Sequence, residues 1–274
     1  QYVTINDCEF IATSGNAYSG YPGYYTSTYI WFGNHNFYYQ NPSDKSTNIT
    51  ITNNKLWKGN SSVNGIGKNI GIMLANSSSS TAAQNSVIKG NDIQDIGQYG
   101  MYTKYVCGID IEMNDVHNEN NTASTQCYGI YVYDYFFSGA SAVKINANKI
   151  HDLAKNRSYA YMSLYGIYAY GYYAGVDFNI TNNVIDLNGP YYIYGIYAYA
   201  YRATGDHDIV NNTIRMTGNV TYSYTRHYGI YNYDAPSGDV KNNIIVDQTQ
   251  NWGATNGGSW LIYTYNPQCT FDYN

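Results

Sequence analysis

The sequence predicts an all-β solenoid of about eight coils, a single domain spanning residues 1–274. Three observations predict it. The first is a repeated Tyr-Gly-Ile-Tyr-x-Tyr segment at 128–133, 165–170, 194–199 and 228–233, with looser copies at 70–72, 99–102 and 260–265. Its glycines, from Gly71 to Gly229, lie 29, 29, 37, 29 and 34 residues apart. A recurring period of this size means one supersecondary unit per repeat, and the uneven steps put insertions in loops. The second is an apolar-x-apolar-x-x-Asn-x-apolar pattern between those segments, clearest at Ile49–Leu56, Val143–Ile150 and Phe178–Ile185. The third is alternation of apolar and polar residues throughout, with no helical period.

Taken in order, the chain enters the second pattern at once, at Val3-x-Ile5-x-x-Cys8-x-Phe10, with Cys8 in the Asn slot. Residues 11–47 are the least regular part, and Thr28–Trp31 reads as the first Tyr-type strand. From there each repeat holds two or three short strands. Asn54, Asn91, Asn114, Asn148, Asn183, Asn212 and Asn243 recur at the turn between two of them. Asn is expected there because it tolerates left-handed dihedrals and bonds nearby backbone. With one coil per repeat, these side chains stack into an internal amide ladder. Segments 60–69, 77–80, 118–125 and 249–259 read as loops by their Asn, Ser, Thr and Gly content. The chain closes on the same strand pattern, Phe271-x-x-Asn274. A propeller would need four strands per blade, and the consensus of Leu-rich repeats is absent.

An Asn ladder at a two-strand turn, with short strands and variable loops, resembles the right-handed parallel β-helix family that includes pectate lyases. The resemblance runs from Val3 to Asn274 and implies a single-stranded right-handed parallel β-helix. It also implies that the Tyr-Gly-Ile strands lie on the sheet where those enzymes bind polysaccharide. The lyases of the family use clustered acidic residues for calcium and a basic proton acceptor; its hydrolases use clustered Asp. The outer positions of the Tyr strand carry neither, being Tyr, Gly or, once, Lys104. No catalytic residue, cofactor or metal site is therefore expected.

Composition narrows the function classes. The chain is 12% charged, with 36 Tyr, 26 Gly and a net charge of −5. That balance gives no support for nucleic-acid binding. No apolar run approaches the roughly 20 residues of a membrane span. No signal peptide precedes Gln1, which reads as a processed N-terminus.

Alternation turns Ile130, Ile167, Ile196 and Ile230 inward. It places Tyr131, Tyr168, Tyr197, Tyr231 and Tyr263 outside in one column, and Tyr133, Tyr170, Tyr199, Tyr233 and Tyr265 in a second. Such a broad exposed aromatic face is expected to bind sugar rings or a neighbouring protomer. The best acidic group is Asp110, Glu112 and Asp115 near Asp92, with Lys144 one coil on; a solvated surface explains it better than calcium. His35, His117, His151, His207 and His227 have no metal spacing and read as surface or loop residues.

Four cysteines favour an oxidising compartment. Cys107 and Cys127 lie in adjacent coils, so a local bridge is expected. Cys8 and Cys269 sit at opposite ends, roughly 35–40 Å apart, too far to pair within one molecule. Asn48, Asn60, Asn76, Asn120, Asn156, Asn179, Asn211 and Asn219 begin Asn-x-Ser/Thr glycosylation acceptors. The expectation is an extracellular or cell-surface structural protein whose partner is itself. Copies would stack head to tail with little break in the sheets, bringing Cys8 and Cys269 to one junction. The alternatives are a polysaccharide-binding module or a polysaccharide lyase or hydrolase.

Overall fold

A computed structural model describes residues 2–12, 28–33, 47–58, 68–76, 85–106, 108–118, 126–135, 141–155, 161–172, 175–189, 191–201, 205–220, 225–234, 237–251, 258–265 and 268–272. Their strands fall into three sheets. Sheet A holds β1 (Val3–Asn6), β4 (Ile49–Thr52), β7 (Ser86–Lys89), β10 (Ile109–Glu112), β13 (Ser141–Asn146), β16 (Val176–Thr181), β19 (His207–Val210), β22 (Asp239–Lys241) and β25 (Thr270–Asp272). Sheet B holds β2 (Glu9–Ile11), β5 (Lys55–Trp57), β8 (Asp92–Gln94), β11 (Asp115–His117), β14 (Lys149–His151), β17 (Val184–Asn188), β20 (Thr213–Val220) and β23 (Ile244–Asn251). Sheet C holds β3 (Thr28–Gly33), β6 (Lys68–Ala75), β9 (Ile96–Lys104), β12 (Gln126–Tyr135), β15 (Ser163–Tyr172), β18 (Ile193–Tyr201), β21 (Arg226–Tyr233) and β24 (Gly258–Tyr265). Each coil runs A, B, C, and each strand pairs in parallel with its counterparts one coil away. The fold is a parallel β-helix. The irregular stretch does contain the expected strand, β3; the rest of 13–46 lies outside the described residues.

The turn from sheet A to sheet B has two residues, and they divide the work differently from the expectation. The left-handed residue is the one before the ladder Asn: Asp7, Asn53, Gly90, Met113, Ala147, Asn182, Asn211 and Asn242, with φ between 54° and 67°. Even Met113 and Ala147 accept it. The ladder Asn needs no special dihedral and is selected for its amide. Asn114 Nδ2 donates to Ile88 O at 3.0 Å and to Asn148 Oδ1 at 3.0 Å, and Asn114 N donates to the same oxygen at 3.1 Å. The same set runs from Asn54 through Asn91, Asn114, Asn148, Asn183 and Asn212 to Asn243. All seven are at most 3% exposed. Cys8, in the first slot, joins only through its backbone N, which donates to Asn54 Oδ1 at 3.0 Å.

The core is built of columns, one residue per coil. Ile51, Ile88, Ile111, Ile145, Ile180 and Ile209 line it from sheet A; Leu56, Ile93, Val116, Ile150, Ile185 and Ile214 line it from sheet B. The glycines of sheet C face the second column. A Cβ on Gly166 would lie 2.6 Å from Ile185 Cγ2 and 2.5 Å from Gly195 O. Gly71, Gly100, Gly129, Gly195 and Gly229 meet the same two obstacles. The spacing of the sheets therefore fixes glycine at these six copies of the motif.

Two buried histidines correct the surface reading. His207 is in sheet A in register with Phe178, and His227 is in sheet C in register with Ile193; they are 0% and 1% exposed. His207 Nδ1 pairs with Asn232 Oδ1 at 3.2 Å, and His227 Nε2 with Tyr191 O at 3.0 Å. Burial lowers both imidazole pKa values, that of His207 to about 4. His35 lies outside the described residues.

Candidate functional site

The outer face of sheet C is the feature that most distinguishes this chain. Within each Tyr-Gly-Ile-Tyr segment, Gly and Ile both face inward, so the alternation slips by one residue, as at a β-bulge. Strict alternation would turn Tyr128 into the core. The slip turns it outward beside Tyr131, with the two rings edge to face at 5.1 Å. Among the described side chains the face thus has three aromatic columns, where alternation gives two.

The additional column is Tyr99–Tyr128–Tyr165–Tyr194–Tyr228–Trp260, stacked at 5.0, 4.6, 4.7, 5.1 and 4.9 Å. The middle one, Tyr102–Tyr131–Tyr168–Tyr197–Tyr231–Tyr263, is stacked at 5.0, 4.8, 4.7, 4.8 and 5.0 Å. The outer one, Tyr133–Tyr170–Tyr199–Tyr233–Tyr265, is stacked at 5.0, 4.9, 4.8 and 4.6 Å. The first column stands edge-on to the middle one, and the middle and outer columns lie parallel. In-register pairing brings each ring over its copy one strand spacing away.

This packing corrects the picture of an exposed face. Tyr99, Tyr102, Tyr128 and Tyr228 are buried, and the first three form an apolar cluster with Ile70, Met73 and Ala75 that is separate from the core. Of the ten tyrosines expected outside, nine are half-buried and only Tyr265, at 50%, is exposed. Burial, followed by repulsion among neighbouring phenols, raises the hydroxyl pKa of Tyr231 to about 12. It lifts Tyr128, Tyr131, Tyr168, Tyr194 and Tyr197 further. These side chains stay neutral at physiological pH. Ring faces inside the columns are covered by the next ring, leaving edges and hydroxyls to face outward.

No family model, curated protein or solved structure matches this chain. The candidate site is therefore read from its own geometry.

Several charged residues of sheets A and B pair from coil to coil. Asp110 meets Lys144 at 3.3 Å, Glu112 meets Lys89 at 3.3 Å, and Asp115 meets Lys149 at 3.1 Å. The expected acidic group thus resolves into ion pairs. Among the described residues no group of three His, Cys, Asp or Glu side chains is placed to hold a metal ion. His117 and His151 lie on the outer face of sheet B, stacked at 4.9 Å. Their Nε2 atoms pair with Asp92 at 3.1 Å and Asp115 at 2.9 Å, carboxylates one coil back. The bond to Asp92 holds the His117 pKa above the ordinary imidazole value.

Cys127 is turned into the core in register with Leu164, and no disulfide is seen among the described residues; Cys107 lies outside them. Cys8 is exposed in the first coil. Cys269 is half-buried, just before β25, with its sulfur 3.4 Å from Asn232 Nδ2. Of the glycosylation acceptors, Asn76 is 4% exposed and its Nδ2 donates to Tyr105 O at 2.9 Å, which removes that nitrogen from attack in the folded chain. Asn211 is exposed at the left-handed turn position, while Asn48 and Asn179 are half-buried. Asn60, Asn120 and Asn156 lie outside the described residues, as does the Asn219 side chain.

Proposed function

We propose that this chain is an extracellular structural protein, a rigid β-helical rod that associates end-on with a second copy of itself. The observation that carries the reading is the stack itself: strands pair in parallel and in register from coil to coil, and the Asn ladder and the tyrosine columns continue through successive described coils. A stack held by the same contacts at every coil suits a rigid structural element. In the last described coil Phe271 is 42% exposed and Leu261 51%, so a charge can be placed at either without entering the core.

Repeated head to tail, such an association gives an open filament. The low charge and the Asn-x-Ser/Thr acceptors support the extracellular location. The superfamily resemblance alone supports a polysaccharide site, and the covered ring faces give it no further ground.

Light scattering and electron microscopy over a concentration series test this reading, with Leu261→Asp/Phe271→Asp as the control. Rods that lengthen with concentration, and fail to do so in the double variant, are expected. Particles of one chain's mass at every concentration, or rods indifferent to both substitutions, overturn it.

A further inference from the structure

We propose that the outer tyrosine column, from Tyr133 to Tyr265, is a site of oxidative dityrosine cross-linking between coils. The co-reactant is a one-electron oxidant, such as a haem peroxidase supplied with hydrogen peroxide. Coupling needs two phenols held together and reachable by the oxidant. The column supplies the first condition four times in succession: its rings are 4.6–5.0 Å apart and within 11° of parallel. Because the strands are parallel and in register, the same ring carbon of each tyrosine lies one strand spacing from its copy on the next coil. The carbons flanking the hydroxyl, where phenoxyl radicals join, are therefore aligned along the rod.

Access distinguishes this column at its end. Its other rings are half-buried, as are most of those in the neighbouring columns, where Tyr99, Tyr102, Tyr128 and Tyr228 are only 4–7% exposed. Tyr265, at the end of the outer column, is 50% exposed, and it forms the closest of that column's pairs, 4.6 Å from Tyr233. The Tyr233–Tyr265 link is expected first.

The step balances as follows. Each phenol gives one hydrogen atom to the oxidant. The two radicals form a carbon–carbon bond between ring positions adjacent to the oxygens. The hydrogens displaced from those carbons return to the oxygens, restoring both aromatic rings. One hydrogen peroxide accepts two hydrogen atoms and leaves as two waters.

Exposure alone makes a different prediction. Tyr2 is 86% exposed and Tyr161 57%, and neither belongs to a column. The experiment treats dilute protein with peroxidase and peroxide, follows dityrosine fluorescence, and maps linked peptides by mass spectrometry. Links within one molecule joining outer-column neighbours, led by Tyr233–Tyr265, are expected. Tyr233→Phe keeps the stacked ring but removes the coupling hydroxyl, so it is expected to abolish the link through Tyr265 and spare Tyr133–Tyr170. The proposal is overturned by an absence of dityrosine, by links only through Tyr2 or Tyr161 or only between molecules, or by a Tyr265 link that survives Tyr233→Phe undiminished.

Discussion

The interior coils and the last described coil use the same columns under different conditions. In the interior, Gly166 is boxed between Ile185 and the carbonyl of Gly195, and its column admits no side chain. In the last coil Leu261 occupies the corresponding position and is 51% exposed. Tyr168 is stacked on both faces, by Tyr131 and Tyr197, whereas among the described residues Tyr265 has a column neighbour only in Tyr233. Burial in a solenoid is thus conferred by the coils on either side, and the same residue type differs in worth according to how many coils cover it.

Substitutions can break this comparison, and the ladder is expected to give the largest effect. Asn148→Ala removes the side-chain partner of Ile111 O, the partner of Asn114 N and one of the bonds of Asn114 Nδ2, while Asn183 Oδ1 keeps the Asn148 backbone N–H. At about 1–3 kcal/mol for each of the two buried groups left without that partner, the loss is expected to be roughly 4 kcal/mol. Cys8→Ala, in the same slot of the first coil, leaves the backbone bond to Asn54 intact and is expected within about 0.5 kcal/mol of the parent. Urea denaturation compares the two; equal losses would show that the ladder side chains carry none of the stability.

Tyr168→Ala removes a ring stacked on both faces and is expected to cost about 3–5 kcal/mol, as for other buried aromatic truncations. Tyr265→Ala is expected to cost about 1 kcal/mol, near one aromatic pair. A penalty at Tyr265 matching that at Tyr168 in dilute solution would place a further layer over the last coil.

Acid supplies a third contrast, between buried and surface histidines. The folded pKa of His207 is depressed to about 4. Its contribution is present above the unfolded imidazole value near 6.5 and is lost as pH falls toward 4, amounting to about 3 kcal/mol. His117 has the opposite sign, because Asp92 raises its folded pKa. Its stabilisation is complete below about 6.5 and is lost as pH rises through the raised value. His207→Gln and His117→Gln, each followed by stability against pH, separate the two; an unchanged acid limb in His207→Gln would remove the buried imidazole as its cause.

The smallest contrast is expected within the glycine column. Gly166→Ala overfills the core and should cost about 1–3 kcal/mol, while Leu261→Ala should cost under 1 kcal/mol by denaturation of the dilute protein, at about 25 cal/mol per Å² for the little area it buries. A neutral Gly166→Ala would mean that sheets B and C can separate locally.

Much of this architecture is legible in the sequence because a solenoid repeats its local rules. The period, the Asn slot and the inward isoleucines each recur often enough to fix a parallel β-helix and its ladder, and β3 could be placed within the least regular stretch. The sequence does not show where the alternation slips. Tyr128, Tyr165 and Tyr194 face outward only because Gly and Ile bulge inward together, a choice made by the narrow gap between sheets B and C. Nor does it show which Asn neighbour takes the left-handed dihedral, since Met113 and Ala147 are unremarkable residues until the turn constrains them. The charge pairs, the stacked His117 and His151, and the burial of His207 follow from register between residues at least 23 positions apart. Local pattern determined what each coil is made of. Which residues cover one another was decided by the stacking of the coils, because burial and pairing are properties of neighbours in space.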